Sequence, residues 1–185
     1  PTLIRAAAKN FPHVLVVVDP EDYEWVISKL RSDSLAMDDR QGLARKAFQH
    51  VAVYDTAIAQ YLTPGNGQVF PQELTLGMEK LYDLRYGENP HQQAAVYAPS
   101  GGAWGLTGAQ QLHGRELSFN NLVDASAAWA VASDFDESAV AVIKHTNPCG
   151  LASHEDVAEA YRRAYQGDPV SAYGGIVAYN RPGTL

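Results

Sequence analysis

The sequence predicts an α/β protein assembled from two partial domains, on three observations. Two runs, Val14–Val18 and Ala139–Ile143, are apolar without interruption, as in strands covered on both faces. Apolar residues recurring at spacings of three, four and seven mark amphipathic helices, so strands and helices share each half of the chain. Between the halves, Thr63-Pro64-Gly65-Asn66-Gly67 breaks both patterns and places a domain boundary before Pro71.

In the first half, Lys9 ends an Ala-rich helical turn, and Val14–Val18 reads as a parallel-sheet strand. Asp19 then supplies an N-cap and Pro20 the first helical position. Glu21 and Asp22 follow where the helix dipole favours negative charge, so a helix to about Leu30 is expected. Leu43, Ala47, Phe48, Val51, Ala52, Ile58, Ala59 and Leu62 form the stripe of a long helix from about Asp39 to Leu62.

In the second half, residues 81–93 show no sustained period and contain Gly87 and Pro90, which predicts an ordered loop. Asn120 or Asn121 can cap a helix through about Ala132, whose Leu122, Ala125, Ala128, Trp129 and Ala132 make a face suited to close packing on a sheet. The strand Ala139–Ile143 runs straight into Lys144-His145, ahead of a turn expected around Pro148 and Gly150. A helix from about Glu155 to Gln166 and a strand over Gly174–Tyr179 complete a strand, helix, strand order.

Composition bounds the function. With 46% apolar and 19% charged residues in 185, the chain has material for a packed core and lacks the signature of disorder. Its 14 basic and 21 acidic residues give a net charge of −7, which argues against a nucleic-acid partner. A small phosphorylated ligand stays open, because one Arg and a few backbone amides hold a phosphate whatever the net charge. The single Cys149 can form neither an internal disulfide nor a Cys-rich metal site, which fits a reducing, cytoplasmic setting. No stretch approaches the roughly 20 apolar residues of a spanning helix, so no membrane partner is expected. The start at Pro1 and the stop just after an apolar stretch read as those of a fragment.

Lys144 and His145 are the residues with the most chemistry to offer. Neighbours on a regular strand point to opposite faces, so the pair can serve one site only if the backbone leaves the pleat there. A Lys cation beside an imidazole favours the neutral ring, a proton acceptor near pH 7, and the same cation can stabilise an oxyanion. On the dipeptide alone, a surface cation beside a hydrogen-bonded strand-end residue explains the pair better. Arg85 and Tyr86 could clamp a planar phosphorylated ligand, or tie a loop to its own backbone. Gly174-Gly175 allows close approach of a ligand, though paired glycines more often mark a turn. Lys9 by spacing alone is a solvent-facing cation at a helix end. Pro148-Cys149 is half of a zinc-deaminase signature, but position 152 is Ala and no His-x-Glu precedes it. No metal site is therefore expected, and Cys149 reads as a small packed residue.

Four segments taken together resemble the AICAR formyltransferase/IMP cyclohydrolase family of purine biosynthesis: Leu84-Arg-Tyr-Gly-Glu-Asn-Pro-His-Gln92, Glu116-Leu-Ser-Phe-Asn-Asn-Leu-Val-Asp-Ala125, Ile143-Lys-His-Thr-Asn-Pro-Cys-Gly150 and Asp168-Pro-Val-Ser-Ala-Tyr-Gly-Gly-Ile-Val-Ala178. Leu3-Ile-Arg-Ala-Ala-Ala-Lys-Asn10, Val16-Val-Val-Asp-Pro-Glu-Asp-Tyr23 and Lys46-Ala-Phe-Gln-His-Val-Ala-Val-Tyr-Asp55 are similar to the end of that family's cyclohydrolase domain. The resemblance implies that residues 1–70 close a methylglyoxal-synthase-like domain and that residues 71–185 open a cytidine-deaminase-like formyltransferase domain. It makes His145 the proton acceptor and a substrate contact, Lys144 the transition-state stabiliser and Lys9 the catalytic lysine of the cyclohydrolase. Arg85, Tyr86 and Gly174 then hold the ribotide AICAR. It further implies 10-formyltetrahydrofolate as formyl donor, FAICAR and IMP as products of the two steps, and a homodimer. The alternatives are a ribotide-binding module without turnover and, less well supported, a zinc deaminase.

Overall fold

The computed structural model describes residues 1–63, 70–100, 102 and 104–183. Its contacts divide the chain into two units, residues 1–79 with 99–102 and residues 80–98 with 103–185. The cluster Pro64–Gly67, on which the boundary was expected, lies outside the described residues. The chain is mixed α and β throughout its described length, with small sheets.

In the first unit, α1 (Thr2–Lys9), α2 (Tyr23–Arg31) and α3 (Met37–Leu62) follow the sequence pattern closely. Asp19 caps as expected, its carboxylate accepting the Glu21 N–H at 3.0 Å, although the first turn, Pro20–Asp22, is a 3-10 turn. Ala8, Val16, Ala44 and Ala47 form the core, with Ile4, Phe11, Val18 and Phe48 against it. Lys46 of α3 reaches back to Asp19 at 2.5 Å and Asp22 at 2.8 Å. That pairing lowers the Asp19 pKa and raises the Lys46 pKa.

Two expectations for this unit are corrected. Val14–Val18 runs alongside the helices but forms no strand, because no described residue offers it a ladder partner and extended backbone alone is not a sheet. The stripe of α3 is buried at Leu43, Ala47 and Val51 but exposed at Ile58 and Leu62, at 39% and 67%. A period of 3.6 identifies a face; whether something covers that face is a tertiary matter.

The second unit contains β1 (Met78–Asp83, from Lys80 onward) and β2 (Ala95–Pro99, to Ala98), paired as a two-stranded sheet. Then come α4 (Phe119–Ser133), β3 (Ala139–Lys144), β4 (Asn147–Ser153), α5 (Val157–Gly167), the short α6 (Pro169–Ala172) and β5 (Ile176–Tyr179). The three last strands lie in the order β4-β3-β5, with β3 antiparallel to both neighbours. Strands β4 and β5 therefore run parallel, joined across β3 by α5, as a split β-α-β unit.

Helices cover both faces of this sheet. Ala141 and Ile143 of β3 meet Ala128 and Ala132 of α4, while Val140 and Val142 meet Ala160 and Ala164 of α5. The unbroken apolar run of β3 is thus explained by two covered faces, with antiparallel neighbours rather than parallel ones. Burying each of its Val and Ile side chains contributes roughly 1.5–3 kcal/mol. Cys149 packs into the α5 face as expected and donates its S–H to the Val142 carbonyl at 3.4 Å.

Four further expectations change. Residues 81–83 belong to β1 rather than to the loop, which begins at Leu84. The cap of α4 is Ser118, and Asn121 is the third helical residue that closes a capping box. Trp129 is 45% exposed rather than part of the packed face, where only small side chains fit against β3. Pro148 and Gly150 lie in β4, not in a turn: Pro148 sits on an edge strand next to an irregularity in register, a position where a missing N–H is tolerated.

Candidate functional site

The sheet positions Lys144 and His145 through a two-residue connection. β3 ends at Lys144, β4 begins at Asn147, and these two are register partners. His145 at φ 53° and Thr146 at φ 62° form the turn, both in the left-handed region that type I′ hairpins require. The backbone therefore leaves the pleat at His145, as the pair needed. Neither residue is Gly or Asn, and Thr is β-branched, so each costs about 1–2 kcal/mol in this conformation. Three hydrogen bonds offset that cost. Thr146 Oγ1 and Asn147 Nδ2 donate to the His145 carbonyl at 2.6 and 2.7 Å, and the Thr146 N–H donates to Asp124 Oδ1 of α4 at 2.8 Å.

Lys144 continues the face of Val140 and Val142, and its Nζ donates to the Tyr173 carbonyl at 2.9 Å. Its charge contributes to the low pKa of Asp168, held down first by the Ser171 hydroxyl and then by the Ser171 N–H. His145 is exposed, and its imidazole has no hydrogen-bond partner among the described residues.

Gly174 arrives at the same end of the sheet. Ile143 is the register partner of Ile176, so the residues just before β5 lie beside the end of β3. A Cβ on Gly175 would stand 2.8 Å from the Ile143 carbonyl, so that approach is close. Gly174 has φ +76° with open space around its α-carbon.

Arg85 and Tyr86 are held at the N-terminal end of α4. The Arg85 N–H donates to the Leu117 carbonyl at 2.9 Å, the Phe119 N–H to the Tyr86 carbonyl at 3.1 Å, and Asn120 Nδ2 to the Glu88 carbonyl at 3.0 Å. The guanidinium lies 4.7 Å from the Tyr86 ring centroid and donates to its hydroxyl at 3.0 Å. Hydrogen bonding to Ser118 first, and to Arg85 second, lowers the Tyr86 pKa below the ordinary phenol value. Arg85 pairs with no carboxylate among the described residues, and its Nε is buried without a partner.

Asn120 and Asp124 stand one turn apart on α4 and so share a face, about 6 Å apart along the axis. One anchors the loop after Arg85-Tyr86 and the other the turn that carries His145. Of the six residues singled out from the sequence, Lys144, His145 and Gly174 thus stand at one end of the three-stranded sheet, while Arg85 and Tyr86 lead into the loop that the same helix α4 holds. Lys9 is the sixth. It belongs to the first unit, exposed at the end of α1 and without an ion pair among the described residues.

Sequence reasoning missed Asp124, Asn120 and Asp168. The i, i+4 spacing of the first two was a usable signal, but nothing in the sequence says what their side chains meet. A cleft of about 780 Å³ in the second unit is lined by residues including Tyr82, Asp83, Leu106, Glu116 and Leu122, and by none of Lys144, His145, Gly174, Arg85 and Tyr86. Among the described residues no group of His, Cys, Asp and Glu is placed to hold a metal ion, and no helix is long and apolar enough to cross a membrane.

Comparison with known proteins gives a consistent picture. The family described as the AICARFT/IMPCHase bienzyme matches residues 7–184. The protein named Bifunctional purine biosynthesis protein PurH in Halalkalibacterium halodurans is 50% identical over 183 residues, 98% of this chain and 36% of that protein. Proteins of the same name in Bacillus cereus (strain G9842) and Bacillus anthracis (strain CDC 684) show the same identity and coverage. The chain therefore spans little more than a third of the length of these relatives.

Proposed function

The chain belongs to the AICARFT/IMPCHase bienzyme family, and from that premise we propose that it carries part of the formyltransferase and cyclohydrolase machinery of purine biosynthesis. In this reading, residues 1–70 close a methylglyoxal-synthase-like cyclohydrolase domain, and residues 71–185 open a cytidine-deaminase-like formyltransferase domain. The substrate is AICAR, the formyl donor is 10-formyltetrahydrofolate, and the product FAICAR is closed to IMP with loss of water. The protein works in the cytoplasm as a homodimer, with small molecules rather than nucleic acid or membrane as its other partners.

The observation that carries the proposal is the His145 turn: an imidazole without a hydrogen-bond partner among the described residues, on the residue that follows Lys144, at the sheet end shared with Gly174. The AICAR amino group is conjugated with its carboxamide and weakly nucleophilic. As its nitrogen bonds to the formyl carbon, His145 takes the proton that leaves that nitrogen and Lys144 stabilises negative charge growing on the formyl oxygen; the bond from that carbon to the donor's N10 then breaks, and tetrahydrofolate leaves as N10 takes up a proton. Arg85, with no carboxylate partner among the described residues, suits the ribotide phosphate. Tyr86, its hydroxyl hydrogen-bonded to Arg85, sits beside it, and Gly174 lets the ligand approach the backbone. None of these residues is assigned to the folate. In the cyclohydrolase step ring closure is intramolecular, so positioning does much of the work and Lys9 assists proton movement.

The test is formyl transfer from 10-formyltetrahydrofolate to AICAR by the natural polypeptide that carries these residues. His145→Ala should lower the rate by about 100-fold or more with folding intact. Unchanged turnover would overturn the proposal. Calorimetric binding of AICAR by a wild-type protein that forms no product would favour a ribotide-binding module instead.

A further inference from the structure

We infer that Asp124 is a positioning residue for the formyl transfer proposed above, acting by holding the left-handed turn that presents His145. The inference rests on that proposal for His145 but comes from geometry the proposal does not use.

The sequence of the turn works against its own conformation. Type I′ turns favour Asn-Gly and similar pairs because both central residues need positive φ, and here they are His145 at 53° and Thr146 at 62°. A β-branched residue at positive φ persists only where its surroundings over-determine it. Two of the restraining bonds are local: Thr146 Oγ1 and Asn147 Nδ2, both on the His145 carbonyl. They close the turn upon itself but do not fix where its tip lies. The third, from the Thr146 N–H to Asp124 Oδ1 at 2.8 Å, comes from α4, 22 residues earlier in the chain.

Asp124 also sits one turn beyond Asn120, whose amide holds the Glu88 carbonyl in the loop that follows Arg85 and Tyr86. One face of α4 therefore sets the register between the ribotide-holding loop and the base. Asp124 has no salt bridge among the described residues. Among the described residues the one hydrogen bond of its side chain is that to the turn. It touches no reacting atom in this account; it acts through Thr146.

Three variants test this in the natural polypeptide, with urea midpoints recorded for each. Asp124→Ala should lower kcat for formyl transfer by about 10- to 100-fold, the cost of a misplaced catalytic group, while KM for AICAR stays within about threefold. Asp124→Asn retains an oxygen acceptor for the same N–H and should stay within about threefold of wild type in kcat. Adding Thr146→Gly to Asp124→Ala removes the penalty for positive φ and should recover at least about tenfold in kcat. In parallel, amide exchange at Thr146 should accelerate in Asp124→Ala. Wild-type kcat in Asp124→Ala, with His145→Ala inactive, overturns the positioning role and leaves the proposed function standing. An Asp124→Asn variant as damaged as Asp124→Ala, with no recovery through Thr146→Gly, also overturns it by pointing to the charge. Full activity of His145→Ala would instead remove the function on which the inference rests.

Discussion

Gly150 is where a single methyl group should do the most damage. A Cβ built on it stands 1.8 Å from the carbonyl oxygen of Ala164, 2.7 Å from its carbonyl carbon and 3.3 Å from its α-carbon. All three are backbone atoms of α5, so no side chain can rotate away. Restoring an ordinary contact of about 3.4 Å needs α5 to move by roughly 1.5 Å, and a gap of even 0.5–1 Å forfeits a quarter to a half of a dispersion contact. The contacts at risk are those of Ala160 and Ala164 with Val140 and Val142, one of the two cores of the unit. Overpacking typically costs about 1–3 kcal/mol, and with backbone on both sides the upper end or beyond applies: about 3 kcal/mol for Gly150→Ala. In a unit of about 100 residues, each kcal/mol lowers Tm by roughly 4–8 °C, so a drop of at least about 12 °C is expected. Urea and thermal unfolding followed by circular dichroism measure both quantities. A variant within about 0.5 kcal/mol of wild type would refute the close packing of α5 on β4.

Gly174→Ala makes the contrasting case: open space but φ +76°, so the expected loss is only about 1 kcal/mol, measured the same way, and arises from backbone conformation. Ser118→Ala removes the N-cap of α4 and leaves the Asn121 N–H without its acceptor, which should cost about 1 kcal/mol or somewhat more because Ser118 is buried. Asp168 has a folded-state pKa below its ordinary value, so its stabilising contribution is fully present above the unfolded value of about 3.8 and is lost as pH falls through the lower folded value. Its carboxyl carbon, followed by NMR, should titrate below free aspartate, and Ser171→Ala should raise that midpoint because the Ser171 hydroxyl is the leading cause.

The helices were the most legible part of the chain. α3 and α5 lie within about two residues of where apolar period and caps put them, because burial of one face leaves a local, repeating mark. β3 was equally plain from its unbroken apolar run. β4 was not: Asn147-Pro-Cys-Gly looks like a turn in isolation, and only pairing with β3 makes it a strand. Val14–Val18 errs in the opposite sense, for a run with every local property of a strand stays unpaired among the described residues.

By itself the sequence determined the families of local structure, the end of β3 as the place where Lys144 and His145 stand, and, through its motifs, the enzyme family. All of these are written in residue order, at spacings of a few positions. The tertiary structure decided what depends on partners distant in the chain: the antiparallel order β4-β3-β5, the approach of Gly174 to the end of β3, and the grip of Asp124 on Thr146. The His-Thr turn shows why. Its own residues disfavour positive φ, and the conformation that turns His145 out of the sheet is held in part by a carboxylate 22 positions away.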